Sequence, residues 1–308
     1  MRSIFANPAV RLQFAGHETF PLRLLWLRKA FDAAAAEPTL RGTFHEQDAI
    51  ARFGVGRNMA ISIRHWALAA EVLQEQGGLL SPTPWARKVF DPDRGFDPYL
   101  EEPATLWLVH AHIAGKPELA TTWFYAFNGL NQTTFDRDMI VGGILELVRD
   151  RVGLKASANT LRRDVEVFAR SYVARGDGGE DAAEPLLAEL GLVRESRLAG
   201  QFEFMRGPKP TLPDAVFALA LERFWRRWHA NSPTLSVEQA SYAPGSPGRI
   251  FKLDEDSVLE RMTRLDRVTD GAFVWSDTAG LRQVARVRVS NESRLLERAY
   301  NQVRRAAA

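Results

Sequence analysis

Residues 46–90 read EQDAIARFGVGRNMAISIRHWALAAEVLQEQGGLLSPTPWARKVF, and the reading of this stretch decides the fold. A short helix over 46–52 runs into Phe53-Gly54-Val55-Gly56, a two-glycine corner of the kind a helix-turn-helix needs. Glycine takes the positive φ of such a corner without steric cost. A longer helix is predicted over 57–74, with Met59, Ile63, Trp66, Ala70 and Leu73 spaced three and four apart as one buried stripe. The opposite side carries Arg57, Asn58, Ser62, Arg64 and His65, with no acid before Glu71. Gly77-Gly78 then stops the helix, Leu79-Leu80-Ser81 supplies a short wing strand, and Pro84 opens a helix ending near Phe90. The segment reads as one winged helix with Arg57, Asn58, Ser62, Arg64 and His65 facing DNA. A solvated or protein-binding face is the alternative.

A chain of 308 residues with 45% hydrophobic and 25% charged side chains fits two or three domains with a well-buried core. It has no apolar run of membrane-crossing length, no signal pattern and no cysteine, which points to the cytoplasm and excludes disulfide or thiolate chemistry. Net charge is only +2, unevenly spread. Beyond Leu281 the arginines at 282, 286, 288, 294, 298, 304 and 305 face only Glu292 and Glu297 in sequence. That tail could follow a phosphate backbone, or simply form a solvated arginine-rich helix.

Three domains are expected: 1–92, 93–176 and 177–308. The first begins with a helix containing 22–31, for which Thr19 is a candidate cap and Pro21 a first-turn residue. Asp91-Pro92-Asp93-Arg94-Gly95 is turn chemistry at its end. The second reads as almost wholly helical, with buried helices at 104–114 and 121–127. It ends in a second helix-turn-helix candidate, 136–152 followed by a Ser157-capped helix. Leu161, Val165, Phe168 and Tyr172 line the inner side of that helix, and Arg162, Arg163 and Arg170 the outer. Glycine-rich 176–181 is the clearest linker. Beyond it come a short helix at 186–192, a strand at 201–205 and an aromatic helix over 215–229. A third helical pair follows, about 237–240 and 256–265, separated by the corner 242–249. A hairpin of 273–275 and 283–289 would be its wing. Arg249 and Lys252 join the candidate DNA contacts.

Signals for catalysis are thin. None of the six histidines forms a familiar ligand motif, and His110 and His112 point about 200° apart on a helix. His17-Glu18 reads better as loop order at a helix start than as a catalytic pair. Gly54-Val55-Gly56 is only part of a dinucleotide fingerprint and lies between helices. Gly142-Gly143 reads as close packing inside a helix. Asp254-Glu255-Asp256 places carboxylates at a helix start, where the dipole explains them, a nuclease metal site being the other reading.

Six blocks in order carry a family resemblance. They are His17-Glu18-Thr19-Phe20-Pro21-Leu22-Arg23; Phe53 to Met59 with Ile63-Arg64-His65-Trp66; Asp97 to Glu102 with Thr105 to His110; Leu161 to Val165; Arg206 to Pro210; and Gly245 to Arg249 through Phe251 to Asp254. Together they resemble the bacterial domain of unknown function 4007 family over roughly 14–286. Where that family usually has Lys-Asn-Met, this chain has Arg57-Asn58-Met59, which keeps the cation. The resemblance implies company in phage-defence clusters, beside sulfurtransferase-like enzymes related to phosphoadenosine phosphosulfate reductase and linked to phosphorothioate modification of DNA. It carries over no catalytic residue.

The expected fold class is mainly α: serial winged helix-turn-helix modules with a central helical domain and short β wings. The expected function is a DNA-binding component of a phage-defence or phosphorothioation-type modification system, without catalysis, cofactor or metal of its own. Arg57, Asn58, Ser62, Arg64, His65, Arg162, Arg163, Arg249 and Lys252 would contact duplex DNA. A sulfurtransferase-like or other defence protein is the expected partner, self-association stays open, and no membrane is involved. The alternatives are a protein–protein adaptor and a metal-dependent nuclease.

Overall fold

The computed structural model describes residues 1–35, 39–40, 44, 48–154, 156–173 and 185–306; the expected linker at 176–181 lies outside the described residues. The chain is mainly α with short antiparallel strands. Among the described residues no helix is long and apolar enough to cross a membrane.

In the first part, α1 (Arg2–Ala6) and α2 (Trp26–Ala35) precede β1 (Thr39–Leu40), α3 (Asp48–Phe53), α4 (Arg57–Ala69), β2 (Leu73–Gln76), β3 (Leu79–Pro82) and α5 (Pro84–Phe90). The expected start of the first long helix at Thr19 and Pro21 is corrected. Thr19 and Leu25 have φ of 68° and 64°, left-handed backbone that no helix interior tolerates, so α2 begins only at Trp26. Helix α4 is shorter than 57–74 for the same reason: Glu71, at φ 55°, turns the chain, and Leu73 lies in a strand. Gly77 and Gly78 are therefore not a helix stop. With φ of 58° and 81° they form the two-residue turn that pairs Gln76 with Leu79, where both central residues need positive φ. Thr83 caps α5 by accepting from the Ala86 amide.

The middle contains α6 (Pro103–Ala114), α7 (Thr121–Gly129), β4 (Thr134–Asp136), α8 (Arg137–Val148), α9 (Ala158–Tyr172), β5 (Val193–Glu195) and β6 (Gln201–Phe204). Helices α6 and α7 are buried nearly all round, as their sequences without a polar face require. Asp136 and Ser157 cap α8 and α9, and Leu161, Val165, Phe168 and Tyr172 are buried as expected. The strand β4, inside the stretch read as helical, is held by a partner distant in sequence, with Phe135 opposite Phe202. At Gly143 a β-carbon would strike the Tyr125 hydroxyl, so close packing is the reason for that glycine; at Gly142 the space is open.

The last part runs α10 (Asp214–Trp228), β7 (Thr234–Ser236), α11 (Val237–Tyr242), α12 (Pro247–Ile250), α13 (Glu255–Thr263), α14 (Leu265–Val268), β8 (Phe273–Thr278), β9 (Leu281–Arg286) and α15 (Glu292–Ala306). The expected corner at 242–249 ends in a helical turn, because Ser246 accepts from the Arg249 amide and Pro247 suits the first position. The expected hairpin is present, and its strands β8 and β9 cover 273–278 and 281–286.

One chain order occurs three times. A helix, a strand, further helices and a hairpin follow one another, and the first strand pairs with the last. The sheets read β1-β3-β2, β4-β6-β5 and β7-β9-β8, all antiparallel. Buried polar ties join the parts: His110 meets the Tyr172 hydroxyl and the Ile250 carbonyl, each at 2.8 Å, and Asn128 accepts from the Gly245 amide at 2.7 Å.

Candidate nucleic-acid interface

Helix α4 is preceded by Gly56, which supplies no side-chain cap, and among the described residues its first backbone N–H groups have no side-chain acceptor beside exposed Arg57 and Asn58. A helix start of this kind favours an anion through its dipole and free donors. Arg57 makes no ion pair among the described residues. The rest of the expected face differs. Ser62 and His65 are buried, and that part of the expectation is corrected. Helix α4 is packed on two sides, by α2 and by the loop around Gly16 and His17. A β-carbon on Gly16 would come within 2.5 Å of His65 Nδ1. Burial, then the nearby His17 and Arg64 charges, push His65 down to about 3, so its ring is neutral at pH 7. Arg64 is half-buried and donates to Glu75 of β2 at 3.0 Å, so the face is not free of acid once the β2–β3 hairpin folds back.

On α9, the helix at the same place in the second module, Arg162 and Arg163 are both exposed. Among the described residues Arg162 has a loose pairing with Asp138 at 3.9 Å. The third module's expected contacts are corrected. Lys252 is buried, donating to the Phe127 carbonyl at 2.6 Å and lying 3.8 Å from the Phe204 ring centroid. Burial drives its ammonium well below the ordinary lysine range. Arg249 is half-buried and spent on the Leu130 and Tyr242 carbonyls and the Asn131 side chain. The charged residues on the outward side of α13 are Glu255, Asp256 and Glu260, while Asp254 caps its start by accepting from the Ser257 amide.

The arginine-rich end is also matched by acids that precede Leu281 in the chain. Asp277 lies 3.7 Å from Arg282 and Glu222 3.9 Å from Arg286, while Asp270 takes both Arg294 and Arg298. Arg298 holds the Asp270 carboxyl below its usual range. The side chains of Arg304 and Arg305 lie outside the described set.

Sequence reasoning missed the knot that sets α4 against α9. Asp164, 2% exposed, accepts from the Ala15 amide and Thr122 and meets His17 Nε2 at 3.1 Å. The His17 ring stacks on Trp66 at 5.9 Å and 12°. His17 and the apparently polar Asp164 in Leu161-Arg162-Arg163-Asp164-Val165 thus fasten the first module to the second. A carboxylate nearly two turns into a helix looks solvated in sequence; its position between inward Leu161 and Val165 is the signal that could have hinted otherwise. Among the described residues no three histidine, aspartate or glutamate side chains gather at metal-ligand distance.

The family model described as "Protein of unknown function (DUF4007)" matches residues 14–300. The chain belongs to this family. The DUF4007 match extends past the resemblance read from six blocks and takes in most of α15. No curated protein matches the chain. Two solved structures are similar to it. A crystal structure of SspB aligns with TM-score 0.85 at 27% identity, over 98% of this chain and 91% of that one. A magnesium ion-bound SspB structure aligns with TM-score 0.83 at 27% identity, over 97% and 90%.

Proposed function

We propose that the three repeated units are winged helices and that this DUF4007 protein binds duplex DNA as a non-catalytic component of a defence or modification system. The observation that carries the reading is the exposure of Arg57 and Asn58 on α4 and of Arg162 and Arg163 on α9, helices at equivalent places in two successive modules. In a winged helix this element enters the major groove with its N-terminal residues toward the bases. Sheet order β1-β3-β2 and its two counterparts support the assignment. Likeness to SspB over nearly the whole of both chains supports the system-level reading, together with the phosphorothioation company that the family resemblance implies. A sulfurtransferase-like protein in the cytoplasm is the proposed partner, and the acidic outer side of α13 suits protein contact better than DNA contact.

The test is a titration of the purified protein against duplex DNA at several salt concentrations. With about three exposed arginines engaged, log affinity should fall against log salt with a slope near −3. A flat response, or no binding at low salt, replaces this reading with the adaptor. The magnesium ion in one SspB structure favours testing a second reading, a magnesium-dependent nuclease. Incubation with supercoiled plasmid and magnesium should leave it intact; nicking that survives purification and is lost in Asp254→Ala would replace the non-catalytic reading.

A further inference from the structure

A cavity of about 220 Å³ lies where the three parts meet. Glu71 reaches it from the turn after α4, His112 and Lys116 from the end of α6, and Arg223, Arg226, Arg227 and Trp228 from the last turns of α10. Its floor is apolar, including Ala111, Ala220 and Ile250. Four cationic side chains thus converge on one half-open cavity.

Most of them are held in place. The Glu71 carboxylate contacts His112 Nδ1 at 2.9 Å, Lys116 Nζ at 2.5 Å and Arg223 at 3.1 Å. Arg223 also pairs with Glu292 at 3.3 Å, and Arg227 pairs with Glu118. The Glu71 backbone is pinned in turn, its carbonyl accepting from Thr83 at 2.6 Å and from the Trp85 indole at 2.8 Å. Arg226 is exposed and makes no ion pair among the described residues. The Trp228 indole N–H is buried and has no acceptor among them either. Three carboxylates therefore hold three of the four cations, and the Arg226 guanidinium plus one indole donor are left over at the cavity.

An arginine fork and a preset lysine suit a tetrahedral oxyanion, because bidentate hydrogen bonds match its geometry. The volume is below the roughly 300–1,000 Å³ of pockets that enclose a drug-sized molecule, so a nucleoside would remain outside.

We infer that this junction cavity binds a phosphate group, either a free small phosphate or the terminal phosphate of a nucleic acid. Its walls come from all three modules, so occupancy fastens them together and raises the stability of the whole chain. The inference stands apart from the reading of α4 and α9, whose arginines do not line the cavity.

The experiment follows thermal melting of the full chain at constant ionic strength, with chloride replaced stepwise by inorganic phosphate or pyrophosphate. In parallel, an oligonucleotide bearing a 5′-phosphate is compared with its unphosphorylated twin. A saturable rise in Tm with the free anions, or a rise specific to the phosphorylated oligonucleotide, supports the site and tells the two sources apart. Arg226→Ala should melt like the parent without ligand and weaken the response about tenfold, the effect of losing one charge-assisted hydrogen bond; Arg226→Lys should recover part of it. No rise with any probe, or an equal rise in Arg226→Ala, overturns the inference. If melting proves irreversible, isothermal calorimetry of the parent and Arg226→Ala with pyrophosphate measures the same binding directly.

Discussion

Helix α4 starts with exposed Arg57 and Asn58 beside an uncapped N-terminus, whereas α13 starts with exposed Glu255 and Asp256 behind the Asp254 cap. Both follow the first strand of their sheet and precede its hairpin. Their approaches differ as well. At Gly54, φ 64°, a β-carbon would meet nothing within 4 Å, so the first corner stands free. In the third module Gly245 is tight against Trp228 and Gly248 against the Ser241 backbone, and Lys252 runs inward. Chain order makes the scaffold, while the few outward side chains decide the partner. The first module presents its corner to solvent; the third uses the same corner to grip the middle of the protein.

The largest expected effect removes the packing behind α4. Trp66 is fully buried, donates to the Phe20 carbonyl at 3.0 Å and stacks on His17. Trp66→Ala should cost about 3–5 kcal/mol and Met262→Ala, its inward counterpart on α13, about 2–5 kcal/mol. Denaturant unfolding measures both. A loss below about 1 kcal/mol for Trp66→Ala would mean that α4 is not anchored as described.

Nearly as large is an acid effect that belongs to the first and middle parts. Burial first of all lowers His65 to about 3 and His110 and His112 to about 4. As pH falls, the unfolded chain protonates these rings near 6.5 while the folded chain does not. Their contribution is therefore complete above about pH 6.5 and shrinks on acidification until the folded values are reached. Between pH 7.5 and 5.5 the loss should be about 1 kcal/mol per ring, or roughly 3–4 kcal/mol for all three. Glu71 adds nothing in this window. Burial works to raise it, but His112, Arg223 and Lys116 more than offset that and hold it below the carboxylate range, so its contribution fades only at lower pH. Unfolding at the two pH values checks this, and His65→Gln should reduce the proton uptake by one; unchanged stability would contradict the burial of the rings.

Much of this was legible in sequence, for reasons specific to each element. The α9 stripe Leu161, Val165, Phe168 and Tyr172 could be read because one side of that helix is packed and the other solvated. Caps at Asp136 and Ser157 could be read because they act within three residues. The end of α4 could not, since Leu73 continues the helical spacing by chance and only pairing with Pro82 makes it a strand residue. His65 looked outward because the loop that covers it lies some fifty residues earlier. Charge was the least legible quantity: Glu75, Asp270 and Glu222 neutralise arginines that appear unopposed along the chain. Lys252 was misread for a related reason, its acceptor being the Phe127 carbonyl.

A smaller effect tests the contrast between the modules directly. Arg57→Ala combined with Arg162→Ala should melt like the parent, because both side chains are exposed. Each lost phosphate contact should lower the salt slope of DNA binding by about one, and each lost base contact should cost about 1–3 kcal/mol. Glu255→Gln with Glu260→Gln, the matching change on α13, should leave the slope unchanged and disturb only binding to a protein partner. If the α13 variant alters DNA binding while the arginine variant does not, the assignment of the two helices is reversed.

The smallest expected effect concerns Arg64, which separates a helix that reads DNA along its whole length from one that uses only its first turn. Its guanidinium pairs with Glu75 on the β2–β3 hairpin, with the two side chains 12% and 31% exposed. Breaking such a pair in Arg64→Ala should cost about 1 kcal/mol or less, visible as a small shift in the denaturant midpoint. The salt slope should match the parent, because a cation already held by a carboxylate releases few counterions on meeting phosphate. Glu75→Gln is the companion change. It removes the Glu75 carboxylate while keeping the guanidinium, and should raise DNA affinity only if Arg64 can then reach the backbone. A drop in slope by about one in Arg64→Ala, with unaltered melting, would show that Arg64 leaves Glu75 for DNA. The reading surface of α4 would then extend two turns beyond Arg57, and its contrast with α13 would be sharper than the unbound chain displays.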